Sequence, residues 1–201
     1  DATIVARPKA ELWDLDRFES REDFSASIAS NMTKMAFGSF FLEATREVCP
    51  AGQRESALYD WLVAALRALA LHPPTAAMAH AFELQLLAGV GVAPNFNCCI
   101  CCGLAVEEFV RGGIAAGAVF VDVTHGGVVC SSCRTQRGAA VPFVATTERV
   151  RQQLVALQQT PLDEIGRDHA TLFDLDGIRR VTSAFLQHHV GKNLRSLEFM
   201  R

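Results

Sequence analysis

No apolar run in this chain reaches the roughly 18 residues that would cross a bilayer as a helix, because Gly, Arg and His interrupt every candidate. The basic, apolar and small-residue pattern of a secretory signal is also missing, which sets the expectation of a reducing, cytoplasmic setting. Catalytic signatures are lacking: there is no G-x-S-x-G, no Walker loop and no H-E-x-x-H. The Gly112-Gly113 and Gly126-Gly127 pairs have neither the lysine nor the helix context of a phosphate loop, and read as turns. Internal repeats and low-complexity segments are absent. So is any excess of positive charge: the formal net charge of −3 gives no global attraction to nucleic acid. The charge is uneven, however. Residues 1–60 carry eleven acids against seven bases, while residues 130–201 carry ten bases against seven acids. Any polyanion contact is therefore expected toward the C-terminal part. Of 201 residues, half are hydrophobic, enough for one large core or two small ones.

What the chain does have is cysteine in two tight groups, Cys98-Cys99-Ile100-Cys101-Cys102-Gly103 and Cys130-Ser131-Ser132-Cys133. A C-x-x-C brings two sulfurs onto one side of a turn, and two such pairs supply the four corners of a tetrahedral site suited to Zn²⁺. The first group offers two frames, Cys98/Cys101 and Cys99/Cys102. Gly103 favours the second, since the turn after the second ligand often needs a left-handed residue. The expected ligands are thus Cys99, Cys102, Cys130 and Cys133. Between the pairs, Val119 to Val123, then Thr124-His125-Gly126-Gly127, then Val128-Val129 read as a β-hairpin that carries Cys130 to the first knuckle. Seven cysteines leave one over, which argues against disulfides. An iron–sulfur cluster uses the same four thiolates. A thioredoxin-like motif would instead place one C-x-x-C at the start of a helix. A closed four-sulfur site has no open coordination position, which points to a structural staple rather than a catalyst.

The rest reads as helical. Glu11-Leu12-Trp13-Asp14-Leu15-Asp16 alternates like an edge strand but has no strand partner further along the chain. Ser20 is the expected cap of a first helix, with Asp23 at its third position and Phe24, Ile28, Met35 and Phe40-Phe41 at helical spacing up to Pro50. A second helix is expected over 56–71, ended by Pro73-Pro74, and a third over 75–90. After the cysteine module, Thr146-Thr147-Glu148 looks like a cap. A short helical segment is expected around 168–173, and a last helix runs from Asp174 to Gly191. The fold class is mainly α: a helical bundle with a four-cysteine zinc hairpin inserted at about 97–136. Phe37, Phe40 and Phe41 are expected in the core.

Several of these residues occur in a familiar order. Phe82-Glu83-Leu84-Gln85-Leu86-Leu87, then Gly89, Gly91, Pro94 and Cys99-x-x-Cys102-Gly103, resemble the passage into the zinc finger of the RecO family of bacterial recombination mediators. Gly191-Lys192-Asn193-Leu194-Arg195-Ser196 is similar to that family's closing stretch, and Glu43 and Trp61-Leu62 fall in the expected places. The resemblance covers about residues 11–201. It implies that residues 1–17 are the remnant strand of a truncated N-terminal OB-fold and that 18–201 form the helical domain; the extra Cys98 and Cys101 depart from the family pattern. It implies a non-enzymatic role in recombinational DNA repair: binding and annealing single-stranded DNA, engaging the tail of the single-stranded-DNA-binding protein, and working with RecR to load RecA. The setting would be the bacterial cytoplasm, associated with the nucleoid and with no membrane.

Annealing requires cations on a continuous face to neutralise phosphate repulsion. The candidates are Arg179, Arg180, Lys192, Arg195 and Arg201, which are equally readable as a solvated face with cations near a helix C-terminus. Six histidines carry less. His188-His189 sit at a helix end, His72 and His80 flank the Pro-Pro turn, and His125 at the hairpin tip is a possible substitute ligand. His169 beside Asp168 reads as surface charge. The competing functional class is a helical adaptor whose zinc hairpin binds protein, with no nucleic acid involved. A thiol redox enzyme is a third.

Overall fold

In the computed structural model, the residues described are 2–5, 14–20, 22–49, 55–112, 118–137, 142–168 and 170–200. Local chemistry at the helix ends sets the layout. Asn31 has an extended backbone, and its side-chain oxygen accepts the amides of Thr33 and Lys34 at 2.9 and 3.1 Å, capping α2 (Met32–Val48). That cap divides the single first helix expected from the sequence. A short α1 (Ser25–Ala29) precedes it, and Asp23 accepts the Ser25 amide just ahead of α1 rather than sitting inside a helix. Ser20 donates to the Glu22 carbonyl instead of capping.

Helix α3 (Ser56–Leu71) has the expected bounds and stops short of Pro73-Pro74, which cannot continue it. Thr75 caps α4 (Ala76–Gly89) through its hydroxyl, which accepts the Met78 amide at 3.2 Å. Every residue from Ala77 to Leu84 is buried, so α4 is the central helix of the bundle. Phe41 and Phe82 stack there with ring centroids 3.8 Å apart, and Phe37 and Phe40 join them in the core as expected.

The inserted module is richer than a hairpin. It contains α5 (Val106–Gly112), β3 (Ala118–Asp122), β4 (Gly127–Val129) and α6 (Ser131–Arg137), and the chain then adds β5 (Phe143–Thr147) on the far side of β3. β3 pairs with β4 in the register Phe120↔Val129, Val121↔Val128, Asp122↔Gly127. Gly127 is required by a close approach: a Cβ there would lie 2.4 Å from the Asn95 carbonyl oxygen, across a bridge between the two residues. Val119, Val121 and Val128 face inward and belong to the same apolar cluster as Phe41, Phe82 and Phe185. The module is therefore seated on the bundle core.

Thr147 ends β5 and caps α7 (Glu148–Gln159), its hydroxyl accepting the Val150 amide at 3.2 Å. The short helix expected around 168–173 lies earlier, as α8 (Leu162–Arg167). Asp168 instead accepts the amides of Ala170 and Thr171, a turn that competes with helix. Asp174 caps α9 (Leu175–Val190), which ends at Gly191 with φ +70°. A 3₁₀ helix, Arg195–Met200, then packs on α2.

The alternating stretch expected as a lone strand has a partner after all, on its N-terminal side: β1 (Ala2–Val5) pairs antiparallel with β2 (Asp14–Phe18). Residues 11–13 lie outside the described residues. Among the described residues no helix is long and apolar enough to cross a membrane.

Candidate metal centre and basic surfaces

The first knuckle is shaped by its own backbone. The Gly103 amide donates to the Cys99 carbonyl at 2.8 Å, and Gly103 takes φ +74°, the left-handed conformation that glycine adopts without a Cβ penalty. The Ile100 amide donates to the Val128 carbonyl at 2.9 Å, which fixes the knuckle beside β4 and hence beside Cys130. As a result the sulfurs of Cys99, Cys102, Cys130 and Cys133 all lie within 4.8 Å of one another. A tetrahedral ion with metal–sulfur bonds of about 2.3 Å needs sulfurs about 3.8 Å apart. The Cys102 and Cys130 sulfurs are separated by 3.8 Å. A cluster of several irons would hold them wider, since metals and sulfides lie between the cysteines. The geometry fits one tetrahedral ion.

Cys98 belongs elsewhere: its sulfur accepts from the Asn95 side-chain amide at 3.2 Å. His125, the possible substitute ligand, is turned to Asp122, with Nδ1 2.9 Å from the carboxylate. Of the four thiols, Cys99 is biased toward thiolate, whereas burial raises Cys130. Burial pushes the Cys99 thiol up, but backbone amides of Cys130, Cys102 and Cys101 together outweigh it and bring the value to about 6. The Cys130 amide is 3.4 Å from the Cys99 sulfur. Hydrogen bonding with Cys130 and Cys102 raises Cys133, as expected for a proton held among neighbouring sulfurs.

The expected basic residues do not form one free face. Lys192 Nζ lies 2.6 Å from Glu47, and Arg179 is 3.3 Å from Asp176. Arg180 and Arg195 are exposed, and Arg201 lies outside the described residues. Arg195 borders a cleft between α2 and the 3₁₀ helix, together with Arg46, Leu42 and Phe199. The closing stretch is tied down by Glu43, which accepts the Arg195 amide at 3.1 Å, the Ser196 amide at 2.8 Å and the Ser196 hydroxyl at 2.5 Å.

Four of the six histidines, His72, His80, His125 and His189, are absorbed locally. His72 Nε2 meets Asp163 at 2.7 Å, His80 sits between Glu83 and Thr182, and His189 faces the Phe185 carbonyl. His169 lies outside the described residues. Among the arginines that escaped the sequence reading, one stands on the finger. Arg134, on α6, lies over the Phe120 ring at 3.8 Å from its centroid. The signal available was the stretch 123–147, which contains two arginines and a histidine but no acid.

Fold and site together define a helical protein with a four-sulfur finger inserted into its bundle. A sequence model of the family described as "Recombination protein O C terminal" matches residues 29–198. The chain is 29% identical over 199 residues to the DNA repair protein RecO of Anaeromyxobacter dehalogenans (strain 2CP-C), covering 99% of this chain and 74% of that one. It is 30% identical over 205 residues to the RecO of Anaeromyxobacter sp. (strain K), with the same two coverages. Against the RecO of Myxococcus xanthus (strain DK1622) it is 37% identical over 125 residues, covering 60% of this chain and 42% of the relative. The chain belongs to the RecO family of DNA repair proteins.

Proposed function

We propose that this protein is a recombination mediator without catalytic chemistry of its own. It binds single-stranded DNA, anneals complementary strands, engages the acidic tail of the single-stranded-DNA-binding protein, and with RecR helps load RecA. The family match across residues 29–198, helices and finger alike, carries the reading. In it, the β1–β2 hairpin belongs to an OB-fold and residues 18–201 are the helical domain.

One Zn²⁺ bound by Cys99, Cys102, Cys130 and Cys133 supplies structure. Four sulfurs leave no coordination position for a substrate, so its work is to hold the two knuckles together. The cleft with Leu42 and Phe199, flanked by Arg195 and by Arg46, which also meets Glu47 at 2.8 Å, suits an acidic peptide ending in an aromatic residue. Annealing demands neutralised phosphate rather than a nucleophile. Replacing Lys192 and Arg195 by Ala is expected to weaken single-strand binding and flatten its dependence on salt, read by electrophoretic mobility of labelled strands. Unchanged binding at low salt removes both residues from the site.

A second reading, a helical adaptor whose finger binds only protein, draws on the ion pairs that already occupy Lys192 and Arg179. The same mobility series decides between them: an adaptor retards no strand at any salt concentration.

A further inference from the structure

The face of the finger sheet turned away from the bundle core carries two half-buried aromatic rings and an unspent cation. Phe143 pairs with Asp122, and Phe120 lies two residues before Asp122, so these three side chains share the face opposite buried Val119 and Val121. Helix α6 crosses that face with two arginines. Arg137 is consumed: it pairs with the fully buried Asp122, which also receives His125. Arg134 is not. Its guanidinium sits 3.8 Å from the Phe120 centroid and 5.9 Å from that of Phe143, and has no hydrogen bond or ion pair among the described residues. Arg134 is exposed, as are Ser131, Ser132, Thr135 and Gln136 around it. No acidic residue occurs between Asp122 and Glu148 to offset it.

We propose that this face, centred on Arg134 and backed by Phe120, is a contact site for single-stranded nucleic acid. The inference rests on the mediator reading and adds a surface to it. A guanidinium with one side against a ring offers its other side to an unpaired base, while its N–H groups reach a flanking phosphate. The neutral donors of α6 supply further phosphate contacts. Stacking of this kind tolerates any base, which a protein acting on arbitrary sequences requires. Arg134 differs in this from Lys192 and Arg179, whose charges are met by Glu47 and Asp176.

The test is fluorescence anisotropy of a labelled oligothymidylate over a salt series, using the whole protein and its Arg134→Ala and Arg134→Lys variants. Zinc content and melting temperature are measured alongside. Arg134→Ala is expected to bind about tenfold more weakly and to reduce the slope of log affinity on log salt by about 0.7. Arg134→Lys should keep the slope but not the affinity, because the ammonium restores charge without the stacking plane. A loss of affinity explained by lost zinc or lost fold is separated by a second measurement on the unmodified protein. Photo-cross-linking to an oligonucleotide containing 5-bromouracil should label peptides containing Phe120 or Arg134. Equal binding by Arg134→Ala, or cross-links confined to other peptides, overturns this contact while leaving the mediator reading intact. Failure of the unmodified protein to bind single strands at all overturns both.

Discussion

Glu43 on α2 satisfies three donors from a segment about 150 residues further along, two of them main-chain amides at the start of the 3₁₀ helix Arg195–Met200. A carboxylate receiving amides at a helix start answers groups that have no partner within the helix. Replacing Glu43 by Ala leaves those donors to water and loosens Leu194, which is buried against the core. Charge-assisted bonds of this kind contribute about 1.5–3 kcal/mol, and a loss of that order is expected in urea unfolding. The pH dependence has a definite sign. The Ser196 hydroxyl, opposed by partial burial and aided by the two amides, holds the Glu43 carboxyl below its ordinary value of 4.5. A depressed folded-state value means that the stabilisation is complete above the ordinary value and disappears as pH falls through the depressed one. Hydrogen-exchange protection of the Ser196 amide should stay level down to pH 4.5 and decline below it, a decline absent in Glu43→Ala.

Between elements, Arg151 is a buried cation that joins three segments of the chain. From α7 it reaches the Phe96 carbonyl at 2.9 Å, Glu148 at 2.6 Å and Glu107 on α5 at 3.4 Å, with 5% of its surface exposed. It ties the bundle to the segment entering the first knuckle and to the helix leaving it. Arg151→Ala leaves the Phe96 carbonyl without this donor and Glu148 without its cation, held only by the Gln152 amide, with an expected destabilisation of about 3 kcal/mol measured by denaturant unfolding. An outcome below about 0.5 kcal/mol, the range of an ordinary surface substitution, would sink this role. The sequence reading had no access to the tie, because the partners lie 44 and 55 residues away.

The same division between near and far runs through the elements themselves. Helices α3, α4 and α9 were legible because prolines, a Thr75 or Asp174 cap and Gly191 mark their ends locally. The α1–α2 break was not, since Asn31 interrupts an otherwise continuous apolar period. The pair of cysteine knuckles was readable from spacing alone, and Gly103 selected the frame whose sulfurs come together. β5 was missed because its identity comes from pairing with β3: Phe143–Thr147 carries no turn signal toward that partner, and only its last residue, as a cap, was visible. α5 and α6, at seven residues each, are too short for a period to declare itself.

At the scale of the molecule, one face of the finger sheet shares the bundle's apolar interior, while Cys99, Val129 and Cys130 form a small cluster of their own. Phe96, Val106, Val119, Val121 and Val128 lie in the same cluster as the rings of α2, α4 and α9. Removing metal should therefore affect more than the knuckles. After treatment with a strong chelator, helical circular dichroism is expected to show one cooperative melting transition at a lower temperature, restored by added Zn²⁺. Two separate transitions, with the helical one unmoved, would mean that the finger melts as an independent unit.

Glu43's grip on Ser196 also carries a consequence for the order of events during synthesis. α2 leaves the ribosome early, whereas the residues that it clasps emerge only after the whole finger and α7 to α9 have been made. Loop closure over such a separation is slow relative to local helix formation. Until then the α2 surface under Leu194 stands open, and the two cysteine knuckles can come together on a bundle that has not yet shut.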